Sequence, residues 1–214
     1  MPRPYIAVNC AASIDGRIST VSRHRVFLSC PEDLERVMKL RNNVDAVAVG
    51  IGTVLADDPA LTVRPRSGKQ PVRVIFDSHG RVPEGAKILD GRARTVIFTS
   101  DECERNVEGA EILRCGSGRV DLKHAVQLLR EMGVKRLLVE GGGGLIFGFL
   151  SSRLVDAMTV YTAPVIIGGS GAPTVADGTG FADARSFSRL RLESVVRLGP
   201  GFLATYRRGG DGPG

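Results

Sequence analysis

Tryptophan is absent from the 214 residues and there are only three tyrosines. Stacking platforms for nucleic-acid bases are therefore scarce. The net charge is +6, but the cations are scattered along the chain, which favours a small anionic ligand over a nucleic acid. Lysine is scarce as well, with 5 against 24 arginines. That bias fits genome composition or growth at high temperature as readily as phosphate binding. The four cysteines, Cys10, Cys30, Cys103 and Cys115, form no CxxC pair, and His24, His79 and His124 have no HExxH spacing. The sequence therefore predicts no metal site and reduced, partly buried thiols. Gly168-Gly169-Ser170-Gly171-Ala172 lacks the last glycine of a nucleophile elbow, which weighs against serine-hydrolase chemistry. No apolar run approaches the ~18 residues of a membrane span, and none follows Arg3 as a leader would, so a cytoplasmic protein with no membrane partner is expected.

What the chain does have is the composition of a globular protein, 43% hydrophobic and 24% charged, and 27 glycines. A single domain over 1–208 with a frayed tail over 209–214 is expected. Tyr5 to Ala12 reads as a buried first strand leading to an Asp15-Gly16 turn. Pro31 opens a helix, PEDLERVMKLR, with acids first and bases last, as the helix dipole favours. Its period puts Leu34, Val37 and Met38 inward, with Arg41 at the end of the stripe, able to snorkel or to reach into a cleft. Further strands are predicted at 44–50, 71–76, 95–99, 110–113 and 154–164. A short helical turn through Val54 and Leu55 should stop at Asp57-Asp58-Pro59. A second amphipathic helix spans Val120 to Met132, with Asp121 as N-cap and Gly133 as stop. Leu190 to Leu198 and Phe202 to Arg207 read as a terminal hairpin about Gly199-Pro200-Gly201. Strands alternating with helices and a paired C-terminal end give an α/β class with a mostly parallel sheet and an antiparallel edge.

The most informative stretch is Lys135 to Leu150, KRLLVEGGGGLIFGFL. An apolar strand ends in one carboxylate, Glu140. Gly141, Gly142, Gly143 and Gly144 then let a ligand approach bare backbone at a helix start, where N–H groups suit a phosphate. Neither GxGxxG nor a Walker motif is present. Thr53 with Asp57, and Asp77 with Ser78, are further polar groups at strand ends, where open α/β sheets collect ligands.

Taken in order, SIDGRI (13–18), GIGTVLADDPALTVR (50–64), PVRVIFDS (71–78), LLVEGGGGLIFGFL (137–150) and VDAMTVYTAPVIIGG (155–169) resemble the reductase family of riboflavin biosynthesis. The likeness spans nearly the whole chain and is closest to the family's stand-alone, dimeric form. It implies a three-layer dihydrofolate-reductase-like fold and a homodimer. It also implies NADPH-dependent reduction of the ribosylamino side chain of a diaminopyrimidinone 5′-phosphate to ribitylamino. NADH in place of NADPH, a deaminated pyrimidine or a pteridine or dihydrofolate as substrate, and a non-catalytic dimeric nucleotide-binding module are the alternatives. By position, Thr53, Asp57, Ser78 and Gly141 to Gly144 would hold the cofactor, with the backbone of Ala11 and Ala12 beside the nicotinamide. Arg41, Leu61, Arg64 and Glu140 would hold the substrate, the arginines by its phosphate. Asp57, Glu140 or water would supply the proton. Arg25 stands where the family often has a small polar substrate contact, and His79 and Arg81 would either read a 2′-phosphate or be exposed turn residues.

Overall fold

Every residue of the second strand's AVAV is buried, and alternate residues serve two different cores. Ala46 and Ala48 join the first core, and Val47 and Val49 the second, so the sheet is covered on both faces. The computed structural model describes residues 3–24, 26–63 and 70–209. Their strands are β1 (Tyr5–Ala12), β2 (Ala46–Gly50), β3 (Val72–Phe76), β4 (Thr95–Thr99), β5 (Glu111–Arg114), β6 (Arg136–Val139), β7 (Ala157–Thr162), β8 (Leu190–Leu198) and β9 (Gly201–Arg208). They form one sheet in the order β5-β4-β3-β2-β6-β1-β7-β9-β8. Pairing is parallel from β5 through to β7, and β9 and β8 add antiparallel strands. The expected class holds, as does the hairpin.

Four helices complete the layers: α1 (Pro31–Asn42), α2 (Ile51–Asp57), α3 (Leu122–Glu131) and α4 (Gly143–Ser151). Ala125, Val126 and Leu129 of α3, with Ile146 and Phe149 of α4, pack on the first face. Ile51 and Val54 of α2 and Leu40 of α1 cover the second. The Asp121 carboxylate caps α3 by accepting from Lys123 N (2.8 Å) and His124 N (3.2 Å), as its sequence position predicted. Asp58 ends α2 in the left-handed region (φ 41), its N–H bonded to Val54 O (3.0 Å).

Two expectations need correction. In α1, Leu34 and Met38 are 48% and 37% exposed, whereas Asp33 is buried beside Val37. The helix is turned by polar bonds. Arg36 donates to Asp33 Oδ1 (2.7 Å) and to Asn9 Oδ1 on β1 (2.7 Å), and Ser29 Oγ donates to Asp33 Oδ2 (2.6 Å). An apolar period cannot register an inward face held by charge-assisted bonds. The strand predicted over 154–164 is also trimmed to 157–162, because Leu154 and Val155 pack into the core without pairing.

Candidate functional site

Four neighbouring strands, β3, β2, β6 and β1, end at one cavity of about 540 Å³. Ala11 comes from β1, Thr53 and Asp57 from α2 after β2, Ser78 from the turn after β3, and Glu140 with Gly141 to Gly144 from the end of β6. Parallel pairing brings these distant segments together, because every strand then ends at the same edge. Glu140 N donates to Ala48 O (2.9 Å) and Gly50 N to Gly141 O (3.2 Å), so the start of the glycine run is held against the end of β2. Phe76, in the cavity wall, is fixed by Phe98 (stacked, centroids 5.4 Å apart) and Phe149 (edge-on, 5.6 Å).

The glycine run needs its composition. Gly141 and Gly142 have φ of +146 and +82, which side chains rarely adopt, and a Cβ on Gly142 would stand 3.3 Å from Thr53 Oγ1. A Cβ on Gly143 would fall 2.4 Å from Thr174 O, whereas one on Gly144 would meet nothing within 4 Å. Gly142 O accepts the first bond of α4, from Ile146 N (3.0 Å). The N–H groups of Gly143, Gly144 and Leu145 therefore precede the helical ladder at the mouth of the cavity. This backbone, with Ser78, Arg81 and Arg119 further along the same wall, fits the expected dinucleotide: bare N–H groups for a pyrophosphate and cations for further phosphate.

Glu140 is 93% removed from water as a side chain and is held by Arg41. Arg41 Nε donates to Oε1 (2.8 Å) and a terminal nitrogen to Oε2 (2.5 Å). Burial works against the Arg41 charge, but the hydrogen bonds and the charge of Glu140 outweigh it and raise the pKa of the guanidinium. Two of its nitrogens are thus committed to a carboxylate, and Arg41 is not among the residues that line the cavity. In this geometry Arg41 supports Glu140. Leu61 is likewise buried in the second core, at φ 49, and does not line the cavity. Arg25, Arg64 and the tail over 210–214 lie outside the described residues.

Asp77 serves the turn. It is fully buried, accepts from Val82 N (3.0 Å) and Arg81 N, and pairs with Arg81 Nε (3.4 Å). His79 is exposed and off the cavity, while Arg81 lines it. Cys10 also lines it, but burial pushes its thiol up to about 12, which leaves a neutral contact and no nucleophile. All four cysteines are buried and free.

Sequence reasoning missed Arg119, Asp177 and the cover of the cavity. Residues 13–18 and 165–175 are stitched over it: Ile18 N donates to Pro173 O (2.9 Å) and Val175 N to Gly16 O (3.2 Å). Asp15 accepts from Ser13 Oγ (2.6 Å), Ile167 N (3.1 Å) and Gly168 N (2.7 Å). These bonds, that of Ser13 first, lower its pKa to about 2. Arg119 had a readable signal, because Gly116 and Gly118 between β5 and α3 repeat the strand–glycine–helix pattern of β6 and α4.

Comparison with known proteins bears on the family and the fold. The chain is 46% identical over 220 residues to the 2,5-diamino-6-ribosylamino-4(3H)-pyrimidinone 5′-phosphate reductase of Archaeoglobus fulgidus, covering 96% of this chain and 98% of that protein. It is 41% identical to the reductase of the same name from Methanothermobacter thermautotrophicus, with 95% and 98% covered. Among solved structures, RibD of Acinetobacter baumannii superposes with a TM-score of 0.81 at 27% identity, over 97% of this chain and 59% of that one. Dihydrofolate reductase from Enterococcus faecalis, at a TM-score of 0.54 and 13% identity, shares the fold. The profile of the RibD C-terminal domain matches residues 4–204, and the chain belongs to that family.

Proposed function

We propose that the protein reduces the ribosylamino side chain of 2,5-diamino-6-ribosylamino-4(3H)-pyrimidinone 5′-phosphate to ribitylamino, with NADPH as donor. The observation that carries this reading is the convergence of Ala11, Thr53, Asp57, Ser78, Glu140 and Gly141 to Gly144 on one cavity. The amino form of the pyrimidine is favoured because the relatives matched over nearly their full length are named for it.

The bound dinucleotide supplies a hydride, which C1′ of the ring-opened, imine form of the substrate accepts. The chain's part is positioning. The start of α4 and the glycines hold the pyrophosphate, and the backbone at Ala11 borders the nicotinamide. Glu140, held in place by Arg41, accepts hydrogen bonds from the substrate's N–H and O–H groups. The proton for the nitrogen that gains the electron pair comes from Asp57, Glu140 or water in the cavity.

The chain further acts as a homodimer. β8 is exposed along almost its whole length and carries Leu192, Val195 and Val196, each about half exposed, with Phe202 beside them on β9. A long apolar edge strand needs a cover. The catalytic reading is tested by mixing purified protein, NADPH and the ribosylaminopyrimidine phosphate. Loss of reduced-nicotinamide absorbance with formation of the ribitylamino product is the expected result. No turnover on either the diamino or the deaminated pyrimidine would sink it, and turnover of dihydrofolate alone would replace it.

A further inference from the structure

Three carboxylates line the cavity among the described residues, Asp57, Glu140 and Asp177. The proposed reduction uses the first two. Asp177 is placed differently: Oδ1 accepts from Thr174 N (2.9 Å) and Thr174 Oγ1 (2.6 Å), while Oδ2 has no hydrogen-bond or ion-pair partner among the described residues. A carboxylate open on one oxygen is ordinary at a surface. Beside a glycine backbone suited to a pyrophosphate it opposes the ligand, unless a donor on that ligand meets the open oxygen.

The chain around this acid is fastened on both sides. A Cβ on Gly143 would fall 3.0 Å from both Cγ and Oδ2 of Asp177, so the carboxylate rests on the bare α-carbon that opens α4. On the N-terminal side, Thr174 bridges to Arg17, and Val175 N donates to Gly16 O (3.2 Å). On the C-terminal side, Gly178 takes φ +117, where a Cβ would meet Phe147 Cδ1 at 2.9 Å, and Phe181 packs on the Phe147 ring with centroids 5.1 Å apart. One flank is thus tied to the turn after β1 and the other to α4. A group held in this way loses little freedom on accepting a bond.

The same two anchors decide what the acid meets. The nicotinamide is expected beside Ala11 at the end of β1, and the pyrophosphate at the start of α4, after β6. These strands are neighbours in the sheet, and Asp177 lies where the turn after β1 approaches the start of α4. The part of the dinucleotide that joins nicotinamide to pyrophosphate is a ribose, and it carries a vicinal diol. We propose that Asp177 Oδ2 accepts from the hydroxyls of the nicotinamide ribose and so sets that half of the cofactor against β1. This rests on the NADPH reading given above. A hydroxyl donor turns the carboxylate from an opponent of the ligand into a charge-assisted partner. The bond takes no account of the phosphate at the adenosine end, so NADPH and NADH use it equally.

The test is binding, read without turnover from the fluorescence of the reduced nicotinamide as the full chain is titrated with NADPH and with NADH. Adenosine 2′,5′-bisphosphate serves as a competitor that lacks the nicotinamide ribose. Asp177→Ala is expected to raise the Kd for both dinucleotides about tenfold or more, the value of one charge-assisted hydrogen bond. Asp177→Asn keeps the size of the side chain and its bonds from Thr174, and should lose several-fold. Competition by the bisphosphate should stay within about twofold of that for the unaltered chain in both variants. Tighter dinucleotide binding by Asp177→Asn would show a carboxylate that only repels phosphate, and overturns the proposal. Equal weakening of the bisphosphate overturns it too, by marking Asp177 as a support of the fold. So does a raised KM for the pyrimidine with dinucleotide affinity unchanged, which gives the open oxygen to the substrate. Each of these leaves the reductase reading intact, whereas an unaltered chain that binds neither dinucleotide overturns both.

Discussion

Arg41 and Glu140 are two charges with little access to water, and each costs several kcal/mol to desolvate. Bidentate geometry at 2.5 and 2.8 Å offsets that cost, so removing either partner strands the other. Arg41→Met is expected to destabilise the fold by about 3–5 kcal/mol, measured as a shift in urea midpoint. Arg41→Met with Glu140→Leu should recover most of that stability without recovering activity. Glu140→Gln should lower kcat/KM for the pyrimidine about 10- to 100-fold, the loss of one charge-assisted bond, and leave dinucleotide affinity near that of the unaltered chain. A parallel loss of dinucleotide affinity would contradict its assignment to substrate. Glu140 was legible in the sequence because it closes an apolar strand directly before glycines. Its partner was not, since 99 positions separate the two and helical period places Arg41 only at the end of a stripe. Asp33 was illegible for a related reason: its burial depends on Ser29 and Arg36, and apolar counting is blind to that.

At the scale of elements, α4 makes a prediction that separates fold from ligand. Gly144 is an exposed helical residue at the cavity, with open space where a Cβ would go. Gly144→Ala should therefore stabilise the protein, by up to ~1 kcal/mol from helix propensity. It should also weaken dinucleotide binding several-fold if a pyrophosphate lies against that backbone. Gly142→Val should do worse on both counts, because φ +82 is strained for a branched residue and Thr53 Oγ1 is 3.3 Å away. Thermal melts and fluorescence titrations of the two variants check this; a Gly144→Ala protein with unchanged affinity would remove the pyrophosphate from α4. Several elements were readable from local chemistry alone. β4 is bounded at Thr95 and Thr99 as predicted, and α3 begins after its Asp121 cap. The sheet order was not, because it depends on which crossovers pack on which face. The late strand β6 is thereby inserted between β1 and β2, and that insertion brings Glu140 to the cavity that Asp57 also lines.

At the scale of the molecule, the exposed apolar residues of β8 predict a second copy. Sedimentation equilibrium should give a dimer mass, and Val195→Lys with Leu192→Lys should yield a folded monomer. A monomeric unaltered chain would contradict the homodimer. The same sheet has a kinetic side. β1 pairs with β6 through Tyr5↔Arg136 and with β7 through Ala7↔Ala157, so the strand made first acquires its neighbours only after most of the chain exists. Such long-range pairing is slow to form. The cavity wall at Ala11 is therefore completed late, and a dinucleotide has little to hold until then. Added NADPH should leave the refolding rate nearly unchanged and slow unfolding instead, in proportion to its concentration over Kd. For this chain the cofactor would act as a lock on the finished molecule rather than a template for making it.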